Sequence, residues 1–465
     1  MFLHCRGANR EVTGSRHLLE VNGKKILLDC GMFQGRRSEE KDKNMNFTFD
    51  PKEVDMVVIS HAHIDHCGNL PNLVKQGFKG PIYTTQATAD LMEFMLKDSA
   101  HIQESEMMYL NKKRMARGQE LLEPLYTTAD VEATLPLIQS QPYHTCVHLS
   151  EGVDVCFYEA GHILGSALLE FTIHDQADGK AKKFVFTGDL GRPNMPLIRD
   201  PYQIPEADIL MMESTYGNRV HESLIEAEEK LIHAISTTAA QGGRVLIPAF
   251  SLGRTQEIVY ALHKLYDEAK IPNLPIFVDS PLSVNVTSVF GNHLDQLDEE
   301  TQKLFLQDGK KPFEFTSLKY VTSVEESKAL NNHHGPCIII SSSGMMEHGR
   351  ILHHIKNAIE DHRNTLIVVG YQAENTLGRK LVDGLKEVNI FGEPHQVKMG
   401  IVVMNAYSAH ADRSDLLDYA GKIKGLKKII LVHGETDSME DLKLALEANG
   451  HVEVLMPNFG DDLEL

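Results

Sequence analysis

No run of the chain approaches the roughly 20 consecutive apolar residues that span a bilayer. The opening stretch, MFLHCRGANREVTGSRHL, has no apolar core of signal-peptide length. Cysteine is sparse: six residues, at 5, 30, 67, 146, 156 and 337, with no Cys-x-x-Cys pair. Scattered thiols in a long chain fit a reducing compartment better than a disulfide framework, so the expectation is free cysteines in a cytoplasmic protein with no membrane partner. Basic residues are in deficit, 46 Lys and Arg against 65 Asp and Glu, for a formal net charge of -19. That balance argues against broad, non-specific binding to nucleic acid, which shows a basic face. A whole-surface average does not exclude a narrow groove lined by a few cations, so any nucleic-acid reading must rest on local motifs. Internal repeats, low-complexity tracts and long linkers are also missing.

What is present is a chain of 465 residues, about three times the usual domain size, so two domains are expected. The first 200 residues read as strands broken by Gly-rich turns. HLLEVNGKKILLDCG predicts a hairpin around Asn22-Gly23, and VDMVVIS a buried strand ending at a His-rich loop. Residues 84–118 are helical in character, and VDVCFYEAG and KKFVFTGD give further strands. From about residue 207 the pattern restarts. ADILMMEST, GGRVLIPAF, PIFVDSP, PCIIISSSG and NTLIVVGYQ are short apolar strands separated by helical stretches. This is the rhythm of a parallel α/β sheet, with functional loops grouped at the strand C-termini. KMGIVVMNAY, a helix and KKIILVHGE close the chain. An inserted domain fits this order better than beads on a string.

The strongest chemical signal is His61-Ala62-His63-Ile64-Asp65-His66, directly after an apolar strand. In an extended loop His61 and His63 project the same way and can share one ion. Asp65 and His66 leave the following turn and can serve a second. Imidazole plus carboxylate is the ligand set of zinc, ahead of manganese or iron. One six-residue loop cannot complete two coordination shells. The remaining ligands are expected at strand ends beside glycines, where His162, Asp189 and His433 stand.

In order and spacing these residues, with Asp29 in ILLDCG, resemble the motif series of the metallo-β-lactamase superfamily. The resemblance implies a metallo-β-lactamase αββα sandwich holding two zinc ions per chain. It implies that His61, His63 and His162 hold one ion, that Asp65, His66 and His433 hold the other, and that Asp189 bridges them. Asp29 would fix the His loop through hydrogen bonds. Glu213 in Met-Glu-Ser-Thr-Tyr-Gly, His410 in Tyr-Ser-Ala-His-Ala-Asp and His433 in Leu-Val-His-Gly-Glu resemble the further motifs of the β-CASP group. That group inserts a parallel α/β domain into the lactamase fold, and the implied boundaries are 1–206, 207–390 and 391–465. PAFSLGRTQE, Ser343-Gly344-Met345 with Gly349-Arg350, and Gly370-Tyr371-Gln372-Ala373 add to the match. Asn375 departs from it, standing where the polyadenylation-factor branch commonly has glycine.

The function the resemblance implies is phosphodiester hydrolysis of single-stranded RNA by an endo- or exonuclease. Such chemistry needs activated water, charge neutralisation and a proton for the leaving oxygen. His410 is the expected proton donor, oriented and kept protonated by Glu213, with Asp65 also in the catalytic set. The alternative makes His410 a structural cap on the helix that follows. Arg254, Arg350, Arg379 and Lys380, with Ser343, are candidates for RNA phosphate, since guanidinium groups recognise phosphate in bidentate fashion. The competing readings are solvated surface charges for these side chains, and for the whole chain a small-molecule hydrolase or an inactive RNA-binding scaffold. Homodimerisation is left open.

Overall fold

Asn22 and Gly23 both have positive φ, 51° and 74°, which lets the chain reverse in a two-residue turn. His17–Val21 therefore pairs antiparallel with Lys24–Leu28, as the sequence predicts. In the computed structural model this hairpin lies within a seven-stranded sheet. The residues described are all except 35, 36, 177, 178, 308–310, 312, 371, 373, 374, 451 and 452. The order of that sheet is Asp462–Glu464, Phe2–Cys5, His17–Val21, Lys24–Leu28, Met56–Val58, Ile82–Thr85 and Ile138–Gln141. A second seven-stranded sheet runs Val454–Leu455, Lys428–Val432, Ile209–Glu213, Ala181–Phe186, Ala167–His174, Val153–Glu159 and Cys146–Ser150.

Alternate residues of the two sheets form one buried core. Leu19, Ile26, Leu28 and Val58 come from the first sheet, and Phe157, Leu169, Phe171, Phe184 and Phe186 from the second. Each such side chain contributes about 1.5–3 kcal/mol by leaving water. The outer face of the second sheet, through Leu168, Val185, Leu210 and Leu431, packs on the helices Arg413–Lys422 and Thr436–Ala448. Helix, sheet, sheet, helix is the expected sandwich.

The chain divides into two compact units, Met1–Val220 with His410–Leu465, and His221–Ala409. These boundaries differ from the expected 206 and 390, for a reason visible in the pairing. Ile209–Glu213, whose apolar run reads like the first strand of the insertion, lies between Ala181–Phe186 and Lys428–Val432 in the first unit. Gly400–Val403, expected in the C-terminal part, instead pairs with Thr365–Val368 in the second unit. The second unit has a six-stranded, wholly parallel sheet in the order Leu318–Tyr320, Ile276–Asp279, Cys337–Ser341, Arg244–Pro248, Thr365–Val368, Gly400–Val403. A separate antiparallel hairpin pairs Glu387–Ile390 with Glu393–Gln396.

Two further expectations need comment. Cys146 and Cys156 face each other across an antiparallel pair and are joined by a disulfide, so the expectation of free thiols throughout is corrected. A pattern of sparse cysteines does not reveal which two oppose each other in a sheet. The remaining four cysteines are free and buried. Asn375 has φ 68°, the left-handed conformation that glycine adopts without strain and that asparagine tolerates best among other residues. Of the Gly-Tyr-Gln-Ala motif, Tyr371 and Ala373 lie outside the described residues. No helix among the described residues is long and apolar enough to cross a membrane.

Candidate metal centre

Every residue of the expected His/Asp cluster lies in the first unit, in the segments that follow its strands. Met56–Val58 delivers the His loop, whose His63 takes the N-cap position of the short helix Ile64–Cys67 that carries Asp65 and His66. Val153–Glu159 leads to His162, Ala181–Phe186 to Asp189, Ile209–Glu213 ends on Glu213, and Lys428–Val432 leads to His433. Gly188 has φ 53°, and a Cβ there would lie 2.5 Å from Ser60 Cβ. Only glycine lets the Asp189 loop approach the His loop this closely.

The donor atoms form two groups that share one carboxylate. His61 Nε2 and His162 Nε2 stand 3.1 and 3.2 Å from His63 Nδ1, and each is 3.4 Å from Asp189 Oδ2. His66 Nε2 lies 3.3 Å from His433 Nε2 and 3.2 Å from the other oxygen of Asp189, Oδ1. Asp65 Oδ2 completes this group at 3.5 Å from His433 Nε2 and 4.0 Å from His66 Nε2. Donors 2.0–2.1 Å from a tetrahedral ion stand about 3.3–3.4 Å apart, so the first group, and His66 with His433 and Asp189 in the second, have the spacing of donors around a metal ion, with Asp65 set slightly further out.

Electrostatics point the same way. Burial pushes the His61 and His162 imidazoles well below their usual range, and pushes His63 down to about 4, against the pull of Asp189. Three neutral imidazoles therefore present lone pairs to one point. Asp189 Oδ1 is buried with no hydrogen-bond donor among the described residues. Burial would raise the Asp189 carboxyl, but the surrounding histidines, led by His433 and His66, hold it well below the carboxylate range. Asp189 Oδ2 faces His61 and His162, which burial keeps unprotonated. Beside Oδ1, burial disfavours the charged His66 ring, but Asp189 and Asp29 outweigh it and raise His66 well above its usual range. A cation would take the place of that proton. The residues fit the metal.

The supports are equally specific. Asp29 accepts from Ser60 N at 2.8 Å, Ser60 Oγ at 3.0 Å and Ser15 Oγ at 3.1 Å, and its Oδ2 lies 2.7 Å from His66 Nδ1. Ser60 Oγ also lies 3.1 Å from His61 Nδ1, and Thr215 Oγ1 lies 3.2 Å from His433 Nδ1. Ser60 and Thr215 were not anticipated from the sequence. Their only signal is position, directly before His61 and two residues after Glu213.

His410 meets this centre from the far side of the chain. Its Nδ1 is 3.0 and 3.1 Å from the two oxygens of Glu213, which is itself fixed by Leu190 N at 2.7 Å. Burial disfavours the charged ring, but Glu213 and Asp189 outweigh it and raise His410 to about 9. The capping alternative for His410 is answered by Asp412. That carboxylate accepts from Ser414 N at 2.8 Å and Asp415 N at 3.1 Å, so it caps the helix Arg413–Lys422.

The phosphate candidates lie in the second unit. Arg350 gives Nη1 to buried Asp279 at 2.6 Å and Nη2 to Thr322 O at 2.6 Å, which ties it to a network that includes His354 and Ser327. Asp279 has no exposed surface and needs that countercharge, so Arg350 is committed to the loop's own structure. Arg254 pairs with Glu257 on its own helix, and Arg379, 41% exposed, places Nε 2.9 Å from Asp383 Oδ1. Ser343 Oγ donates to His348 O at 3.3 Å.

The sandwich and the paired His/Asp groups together define a metal-dependent hydrolase of the metallo-β-lactamase fold. Sequence comparison specifies the branch. Residues 12–164 match the metallo-beta-lactamase superfamily, 255–381 the Beta-Casp domain, and 394–457 the Zn-dependent metallo-hydrolase RNA specificity domain. A ribonuclease of Thermus thermophilus is 38% identical over 98% of both chains. An RNase J-like protein of Methanocaldococcus jannaschii is 33% identical over 94% of this chain and 93% of its own length. The cleavage and polyadenylation specificity factor 73 of Drosophila melanogaster is 30% identical over 95% of this chain and 61% of its own. A solved Enterococcus faecalis protein of unknown function shares the fold at a TM-score of 0.54 and 14% identity, over 100% of this chain and 99% of its own. The chain belongs to the β-CASP family of the metallo-β-lactamase superfamily, and is a nucleic-acid hydrolase.

Proposed function

We propose that the protein is a zinc-dependent ribonuclease that hydrolyses phosphodiester bonds of single-stranded RNA at a centre of two ions. The observation that carries this reading is the division of Asp189. One of its oxygens faces His61 and His162, and the other faces His66. His61, His63 and His162 would hold one ion, Asp65, His66 and His433 the other, and Asp189 both. Imidazole and carboxylate donors without thiolate suit zinc. The chemistry a bound zinc pair supplies is acidification of water and neutralisation of phosphoryl oxygens.

The chain's own residues do the rest. Asp29, Ser60 and Thr215 each engage the second ring nitrogen of a ligand histidine, fixing its tautomer and direction. His410, its Nδ1 held by Glu213, gives its Nε2 proton to the leaving oxygen. Of the five phosphate candidates we assign RNA contact to Arg379 and Lys380, for their exposure. Arg254, Arg350 and Ser343 shape their loops. The relatives' names, ribonuclease and cleavage factor, support RNA as the substrate.

The test is end-labelled single-stranded RNA with and without chelator, alongside elemental analysis. Cleavage abolished by chelator and restored by zinc, with about two ions per chain, is expected. At most one ion, unaffected by Asp65→Ala or His433→Ala, would refute the binuclear centre. The pH profile gives an independent check. A general acid must be protonated, so cleavage should decline on the alkaline side, as pH rises through the His410 pKa that the Glu213 carboxylate raises. That alkaline decline should vanish in His410→Ala, and its persistence there would assign it to another group.

A further inference from the structure

The helix Gln86–Met115 is 30 residues long, about 45 Å at the α-helical rise, and its two halves are different surfaces. The first half is anchored. Its Thr85 cap and Thr88 donate to Gly165 O at 2.6 and 2.8 Å, and Leu91, Met92, Leu96 and Ala100 are buried. Beyond Ala100 none of its residues is buried. Apolar side chains there face solvent: Met108 is 68% exposed, Tyr109 61% and Met115 68%. Between Glu104 and Glu106 on one side and Glu120 and Glu123 on the other, residues 107–119, MMYLNKKRMARGQ, carry Lys112, Lys113, Arg114 and Arg117 and no acidic residue, in a chain of net charge -19.

This projecting end is ordered by its own contacts. Asn111 Nδ2 donates to Leu122 O and Asn111 Oδ1 accepts from Leu122 N, both at 2.8 Å, and Arg114 Nε donates to Glu120 O at 2.6 Å. These bonds fold residues 118–122 back along the helix. Lys112, Lys113 and Arg117 remain exposed, and Lys113 Nζ sits 4.3 Å from the centre of the Tyr109 ring. Exposed cations alternating with an exposed aromatic ring are the elements of single-strand recognition: cations follow the phosphates and the ring stacks on a base. In a two-fold contact a second copy would set these cations against themselves, so such pairing is disfavoured, and the cations with their aromatic ring suit a polyanion.

We propose that the distal end of this helix, through Tyr109, Lys112, Lys113 and Arg117, is an RNA-binding arm that grips single-stranded substrate outside the metal centre. This rests on the ribonuclease reading and adds to it a determinant of substrate length. The test compares wild type with Lys112→Glu/Lys113→Glu/Arg117→Glu and with Tyr109→Ala, as full-length zinc-loaded protein. Binding of fluorescent oligouridylates of about 20 and about 4 nucleotides, the longer one exceeding the roughly 4–16-nucleotide footprint of a single-strand module, is read by anisotropy before turnover. The charge reversal should weaken the longer RNA at least about 10-fold. It should also lower the slope of log affinity against log salt by about 2, from roughly 0.7 per lost phosphate contact. Tyr109→Ala should cost about 10-fold with the salt slope unchanged. Binding of the short oligonucleotide and hydrolysis of a p-nitrophenyl phosphodiester should stay at wild-type levels. Unaltered affinity and salt slope for the long RNA, with phosphodiester hydrolysis intact, would overturn the arm alone and leave the surface to a protein partner. Wild type that hydrolyses the phosphodiester but binds neither RNA would overturn the arm and the ribonuclease reading together.

Discussion

Asp189→Ala should bring RNA hydrolysis below detection and should lower metal content at both positions, whereas His63→Ala should lose one ligand of one group. The difference follows from geometry. Asp189 Oδ2 lies 3.4 Å from both His61 and His162, and Oδ1 lies 3.2 Å from His66. Removing the carboxylate therefore takes one donor from each group and the only buried negative charge they share. It also leaves imidazoles packed around an empty volume. His63 contributes Nδ1 to the first group alone. Elemental analysis and end-labelled RNA cleavage measure both consequences on the same preparations. Asp189→Asn separates charge from volume: it keeps one oxygen acceptor but no anion, and should resemble alanine more than wild type. Equal retention of activity in Asp189→Ala and His63→Ala would show that Asp189 does not serve both groups.

How much of this centre could be read from the sequence depended on contiguity. His61, His63, Asp65 and His66 announce themselves because one loop carries all of them. His162, Asp189 and His433 are individually ordinary, and become legible only because each follows an apolar strand beside a glycine. The role of Thr215 was not legible, because a threonine hydroxyl bonds some neighbour almost anywhere, and only the fold brings it to His433 Nδ1.

The same limit governed the domain boundaries. The run ILMME is identical in character to the strands that follow it, yet its hydrogen bonds go to Ala181–Phe186 and Lys428–Val432. Local periodicity identifies a strand, while its sheet is chosen by its partners, one of which lies more than 200 positions away in the chain. Arg350 shows the opposite hazard. A cation in a Gly-rich strand-end loop reads as a phosphate ligand, but the buried Asp279 that claims it lies 71 residues earlier.

His410→Ala should separate proton transfer from metal binding. His410 Nδ1 lies 3.0 Å from Glu213 Oε1 and 3.9 Å from Asp189 Oδ2, so that nitrogen is engaged by Glu213 and not by the bridging carboxylate. Metal content should therefore stay near wild type while RNA cleavage falls roughly 100- to 10,000-fold, the range for loss of a general acid. The leaving oxygen of RNA is a poor leaving group that needs this proton. A p-nitrophenolate needs almost none, so the variant should recover most of its activity on a p-nitrophenyl phosphodiester. Glu213→Gln should show the same selectivity in milder form. Glutamine can still orient the ring, and its oxygen can still accept from Leu190 N, but it no longer supports the imidazolium. The result that would reassign His410 is specific. Asp189, Glu213 and His410 are close enough to hold an ion themselves, so metal lost from His410→Ala would make the residue a ligand. Equal damage on the activated and natural substrates, with metal retained, would make it a phosphate-binding group instead.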